Sequence, residues 1–115
     1  MEDERLVRGE QFVAPDLIIY EVANAIWKQE CLTKNLEDGK PYLTAFYDLI
    51  ESGKITVLSP KETLMQESCL IAKRHSLTIY DAVPIAVALQ LGASMKTLDK
   101  AQSRVFKLET DKEKP

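Results

Sequence analysis

Apolar positions along the chain follow two patterns: spacings of three and four residues in some segments, and short unbroken runs in others. From Pro15 to about Cys31, the recurrence of Ile18, Ile19, Val22, Ala23, Ile26 and Trp27 predicts one amphipathic helix. Pro15 suits its first turn, and Asp16 complements the positive end of its dipole. A second helix is expected from Pro41 through Leu43, Phe46, Tyr47, Leu49 and Ile50, closed by Ser52-Gly53. Ser59-Pro60-Lys61-Glu62 has the order of an N-cap hydroxyl, a first-position proline and a third-position glutamate, so a third helix should start there and run to about His75. A fourth is expected within Ile79–Leu91, ending at Gly92.

The short runs read as strands. Gln11-Phe12-Val13-Ala14 is ended by Pro15, and Ile55-Thr56-Val57-Leu58 is rich in branched residues, as a buried strand should be. Residues 93–98 read as a further strand, 99–104 as a helical turn, and Val105-Phe106-Lys107-Leu108 as a last strand before a charged tail at 110–115. This alternation predicts an α/β fold, a parallel sheet flanked by helices on both faces. Such sheets bind ligands beyond the C-terminal ends of their strands.

Composition narrows the picture. A chain of 115 residues fits one domain with a modest core, and 45% hydrophobic with 29% charged residues is the balance of a soluble globular protein. The longest uncharged apolar run, residues 82–89, falls short of the roughly 20 needed to span a bilayer, so no membrane segment is expected. Met1-Glu2-Asp3-Glu4-Arg5 is acidic where a signal peptide starts basic, and the expected location is the cytoplasm. A net charge of −3 argues against nonspecific nucleic-acid binding by overall charge while leaving room for a local basic patch. Cys31 and Cys69 have no CxxC spacing and no histidine at ligand spacing, which argues against a thiolate zinc site. Both are expected to be reduced and buried.

Three carboxylates stand where chemistry is expected. Glu21 lies in the first helix among Leu17, Ile18, Asn24 and Ala25, a mostly apolar setting in which it either reaches solvent, pairs with Lys28, or is offset by a bound group. Asp81, in Thr78-Ile79-Tyr80-Asp81-Ala82-Val83-Pro84, is either the third residue of a capping box led by Thr78 or, if Pro84 belongs to the first turn, itself the N-cap. Asp99 follows an expected strand and opens a turn, the position of a cap and also of a ligand in an α/β sheet.

The segment Pro15-Asp16-Leu17-Ile18-Ile19-Tyr20-Glu21-Val22-Ala23-Asn24-Ala25-Ile26-Trp27 resembles the second conserved block of PIN domains, the nuclease domains typical of VapC toxins. Residues 72–82, with Asp81, followed by Ile85-Ala86-Val87-Ala88-Leu89, are similar to the third block, and Ala93-Ser94-Met95-Lys96-Thr97-Leu98-Asp99 to the fourth. Order and spacing fit from about Gln11 to Leu108. The resemblance implies an endoribonuclease that hydrolyses single-stranded or structured RNA, acting as the toxin of a toxin–antitoxin pair and forming a homodimer. It also implies that Glu21, Asp81 and Asp99 are catalytic and hold a divalent metal, with Thr97 supporting the site and Asn24 as a neighbouring polar contact. Hard oxygen ligands suit Mg²⁺ or Mn²⁺, which would activate a water and neutralise charge on the phosphate. RNA would be met by Lys96, Lys100 and Arg104 around Asp99 and by Lys73 and Arg74 before the Asp81 helix, unless these are simply solvated charges. Trp27, Tyr42, Phe46 and Tyr47 are expected in core or dimer packing.

The family begins with an apolar strand ending in aspartate, the central strand and first ligand. Met1 to Glu10 holds no apolar run of that kind, so the expectation is an N-terminally incomplete PIN domain spanning 1–115, with Met1 an internal methionine. Loss of a central strand would leave its neighbours roughly 10 Å apart. The alternative is a degenerate, non-catalytic PIN-like module that binds RNA or a protein partner. Sequencing the DNA upstream in frame should reveal an apolar strand ending in Asp; a nearby stop codon would overturn that expectation.

Overall fold

The structure is a computed structural model that describes residues 11–112. It is divided between Ser59 and Pro60 into two compact units. Among the described residues the fold is mixed α/β: β1 (Phe12–Pro15), α1 (Leu17–Trp27) continued by a π-helical turn (Lys28–Leu32), α2 (Lys40–Glu51), β2 (Ile55–Leu58), α3 (Glu62–His75), α4 (Ile79–Leu91) and α5 (Lys100–Lys112). No helix among them is long and apolar enough to cross a membrane.

In the first unit β1 and β2 form a two-stranded parallel sheet in the register Phe12↔Ile55 to Pro15↔Leu58. Parallel neighbours need a crossover, and the two helices between the strands supply it. The pairing is extended at both ends, where Phe12 N donates to the Lys54 carbonyl at 3.1 Å and Asp16 N to the Leu58 carbonyl at 2.9 Å. Pro15 can close β1 because its missing N–H falls at the last paired position. Glu30 accepts a hydrogen bond from Gly39 N at 3.1 Å, which fixes the start of α2 against the end of the α1 helix. Only glycine fits there, since a Cβ at residue 39 would run into Ile26 Cγ2. Phe46 is buried and meets Tyr47 edge-on at 5.7 Å, whereas Trp27, Tyr42 and Tyr47 are exposed.

In the second unit α4 packs against α3 and α5. Its run of Ala82, Val83, Ile85, Ala86, Val87 and Ala88 is buried around most of its circumference, as the central helix of three should be. Ile71 of α3 and Val105 of α5 are fully buried, as is Ser68, whose hydroxyl donates to the Leu64 carbonyl at 2.8 Å. Glu109 of α5 is only 6% exposed in its side chain and is held by Arg74 of α3 through two hydrogen bonds of 3.1 Å, by His75 Nε2 at 2.7 Å and by Lys112 at 3.8 Å.

Several expectations need correction. Residues 93–98 form no strand; Leu98 is fully exposed and the segment pairs with no β-strand among the described residues. The helical turn and last strand expected over 99–108 are one helix, α5, whose buried face of Gln102, Val105 and Glu109 is partly polar. Ser59 does not cap α3: its hydroxyl donates to Asp16 at 3.0 Å, and Lys61 occupies the N-cap position. Cys31 and Cys69 are free as expected but exposed, not buried. The strand expected to be missing from Met1 to Glu10 lies outside the described residues.

Burial raises the Glu109 carboxyl, but the hydrogen bonds from Arg74 and His75 and the charges of Arg74 and Lys112 outweigh it and hold the group below its ordinary 4.5. A lowered carboxyl contributes stability above its unfolded value that disappears as pH falls through the folded one. The melting temperature should therefore drop as pH is taken below 4.5, and Glu109→Gln should flatten part of that slope in circular-dichroism melts. An unchanged slope would remove Glu109 as a source of it.

Candidate active site

Glu21 and Asn24 belong to the first unit, one helical turn apart in the middle of α1, and both are exposed. The setting that looked apolar in sequence is open to solvent, and among the described residues Glu21 makes no ion pair with Lys28.

The second unit carries Asp81 and Asp99, each at the start of a helix. A helix start leaves N–H groups without partners. At α4 Thr78 supplies one: its hydroxyl accepts from Asp81 N at 3.3 Å, so Thr78 is the N-cap and Asp81 the third helical residue. Pro84 is then inside the helix rather than setting its start. The Asp81 carboxylate has no hydrogen bond or ion pair among the described residues and is partly exposed. At α5 the cap is Asp99 itself, with Oδ1 accepting from Gln102 N at 2.8 Å and its carbonyl from Ser103 N at 3.0 Å. Asp99 Oδ2 has no partner among the described residues.

Gln102 joins these positions. Its side-chain Nε2 donates to the Asp81 carbonyl at 2.9 Å, and its Oε1 accepts from the Thr97 hydroxyl at 2.6 Å. Thr97 Oγ1 in turn accepts from Asp99 N at 3.0 Å. Asp81, Thr97 and Asp99 are thus brought together in one hydrogen-bonded network, and Thr97 supports Asp99 directly. Sequence reasoning missed Gln102, although Asp99-Lys100-Ala101-Gln102 has the D-x-x-Q spacing of a capping box. Here the glutamine turns away from the cap toward Asp81.

The donor set of this network is hard oxygen. Among the described residues no three His, Cys, Asp or Glu side chains are grouped as a cage. Two carboxylates beside a hydroxyl and an amide are a donor set that a small hard divalent cation, which keeps several waters, can accept. The lone histidine, His75, is engaged with Glu109. Lys96, Lys100 and Arg104 are exposed around Asp99, as is Lys73, while Arg74 is engaged with Glu109.

If Asp99 stabilises the chain chiefly as a cap, Asp99→Ala should cost about 1 kcal/mol in urea unfolding, while Asp99→Asn, which keeps an acceptor oxygen, should cost little. Equal losses for both would mean that its charge, not its cap, carries the stability.

The sequence pattern of the PIN domain family matches residues 2–108. Ribonuclease VapC3 of Pyrobaculum aerophilum is 30% identical over 91 residues, which cover 79% of this chain and 68% of that protein. The match takes in the segments that carry Glu21, Asp81 and Asp99, and with a parallel αβ crossover and two acidic helix starts already in place, the chain belongs to the PIN domain family.

Proposed function

We propose that the chain is a divalent-metal-dependent endoribonuclease, the toxin of a toxin–antitoxin pair, acting in the cytoplasm on single-stranded or structured RNA. The observation that carries this reading is the network of Asp81, Thr97, Gln102 and Asp99, in which the Asp81 carboxylate and one Asp99 oxygen have no partner among the described residues of a member of the PIN family. The similarity to a protein called a ribonuclease supports RNA as the substrate.

Asp81 and Asp99 would hold Mg²⁺ or Mn²⁺, which when bound supplies an activated water and neutralises charge developing on the phosphate; Glu21 is assigned the same role by the family resemblance alone, since no three acidic side chains are grouped among the described residues. The chain's own part is positional. Thr97 fixes Asp99 by accepting from its N–H, which leaves Oδ2 directed by a cap bond at Oδ1. Thr78 fixes the first turn from which Asp81 projects. Asn24, one turn from Glu21, offers a neutral polar contact. Lys96, Lys100, Arg104 and Lys73 are exposed cations for phosphate oxygens; Arg74 would join them only by leaving Glu109. The exposed Tyr20, Trp27 and Tyr42 of the first unit support self-association as a homodimer.

Asp81→Asn keeps the side-chain size and the backbone N–H that Thr78 accepts. It should lower Mn²⁺-dependent cleavage of RNA by about 100-fold or more with little change in melting temperature. Cleavage at the unsubstituted rate would remove Asp81 from the site, and cleavage that persists in excess EDTA would overturn the metal-dependent reading.

A further inference from the structure

Gln102 is 92% buried by its 8% exposure, and every polar group of its side chain is used. Its two ends reach segments that are far apart in sequence: Nε2 the Asp81 carbonyl, 21 positions upstream, and Oε1 the Thr97 hydroxyl. Thr97 lies in the irregular 93–99 segment, which has no strand pairing among the described residues to fix it. Asp99 sits at the end of that segment and is itself exposed, so packing does not hold it. Its cap bonds from Gln102 N and Ser103 N hold it to the start of α5, and what ties it further to the helix bearing Asp81 is a chain of bonds from Asp99 N to Thr97 Oγ1, from Thr97 to Gln102 Oε1, and from Gln102 Nε2 to the Asp81 carbonyl.

We infer that Gln102 is a positioning residue that sets the separation of Asp81 and Asp99, and so the affinity of the site for a divalent cation. This rests on the proposed metal site. The task needs a donor and an acceptor on one planar group at this reach, which the glutamine carboxamide provides. Glutamate would lose the donor, methionine would lose both functions, and asparagine is one methylene too short to span from Thr97 to Asp81. Residues that orient ligating carboxylates typically change metal affinity when replaced, although they never touch the ion.

The test is Mn²⁺ affinity of the full chain, read from the electron paramagnetic resonance signal of free Mn²⁺, for the unsubstituted protein and for Gln102→Met, Gln102→Asn and Val105→Ala. Val105 is fully buried on the same helix, so its truncation loosens packing without touching the network. The two glutamine variants should bind Mn²⁺ roughly 10- to 100-fold more weakly. Val105→Ala should bind as the unsubstituted chain does, even where its melting temperature falls further. A glutamine variant that keeps full affinity, or a Val105→Ala loss as large as theirs, would overturn the inference. Should Gln102→Met fail to fold, Gln102→Asn decides. Absence of saturable Mn²⁺ binding by the unsubstituted chain would instead overturn the proposed metal site. Hydrogen exchange at the Asp99 amide still reads the tether in that case: faster exchange in Gln102→Asn supports it, and unchanged exchange overturns it.

Discussion

The free N–H groups at a helix start are the constraint on which the second unit turns. The N-cap residues of α1, α2 and α3 make no side-chain cap bond, although at α2 Asp38 Oδ1 accepts from Lys40 N at 3.1 Å. The two helices whose N-cap residues do, α4 through Thr78 and α5 through Asp99, are the two that present Asp81 and Asp99. A cap is worth about 1 kcal/mol, and it also fixes the φ and ψ of the first turn, from which both carboxylates project. Local stability and placement of the acidic residues therefore depend on the same few hydrogen bonds.

The rest of the second unit gives those helix starts a stable support. α4 can be apolar around most of its surface because α3 and α5 both pack on it, and the Arg74 to Glu109 pair joins the two outer helices. A buried carboxylate with four bonds or charges around it is a strong constraint on helix register, because any slip of α5 would leave Glu109 without partners in a setting where that is costly. In the first unit the fixing contacts are of another kind. A short parallel sheet sets where α1 begins, and the close approach of Gly39 to Ile26 sets where α2 begins.

Much of this was legible in the sequence. The end of α4 followed from Gly92, its start was open between Thr78 and Asp81 as the cap, and β2 followed from four branched or apolar residues beside a glycine turn. Two of the errors share a physical cause: a local pattern was satisfied by a distant partner. Ser59 has the local order of a cap, but Asp16, which is 43 positions away, takes its hydroxyl. Val105-Phe106-Lys107-Leu108 has the composition of a strand, and the helical period of α5 is hidden because two of its buried positions, Gln102 and Glu109, are polar. Their burial becomes intelligible only once Asp81 and Thr97, and Arg74 and His75, are known to face them. Asp81 and Asp99 stood out as candidates, whereas Gln102, which links them, had only the spacing of a cap.

The capping and ligand readings of Asp99 are not rivals once its two oxygens are counted. A carboxylate offers about four acceptor directions, and the cap bond from Gln102 N occupies one of them on Oδ1. That bond fixes the plane of the carboxylate, leaving Oδ2 aimed by the helix rather than by a flexible side chain. The same economy applies at Asp81, where the backbone N–H and carbonyl are both engaged, by Thr78 and Gln102, while the carboxylate has no partner among the described residues. A residue whose backbone is used for structure and whose charge is not is one in which folding and cation binding do not compete for the same atoms. In such a residue a substitution by its amide can separate the two roles, because the backbone bonds survive while the negative charge is lost.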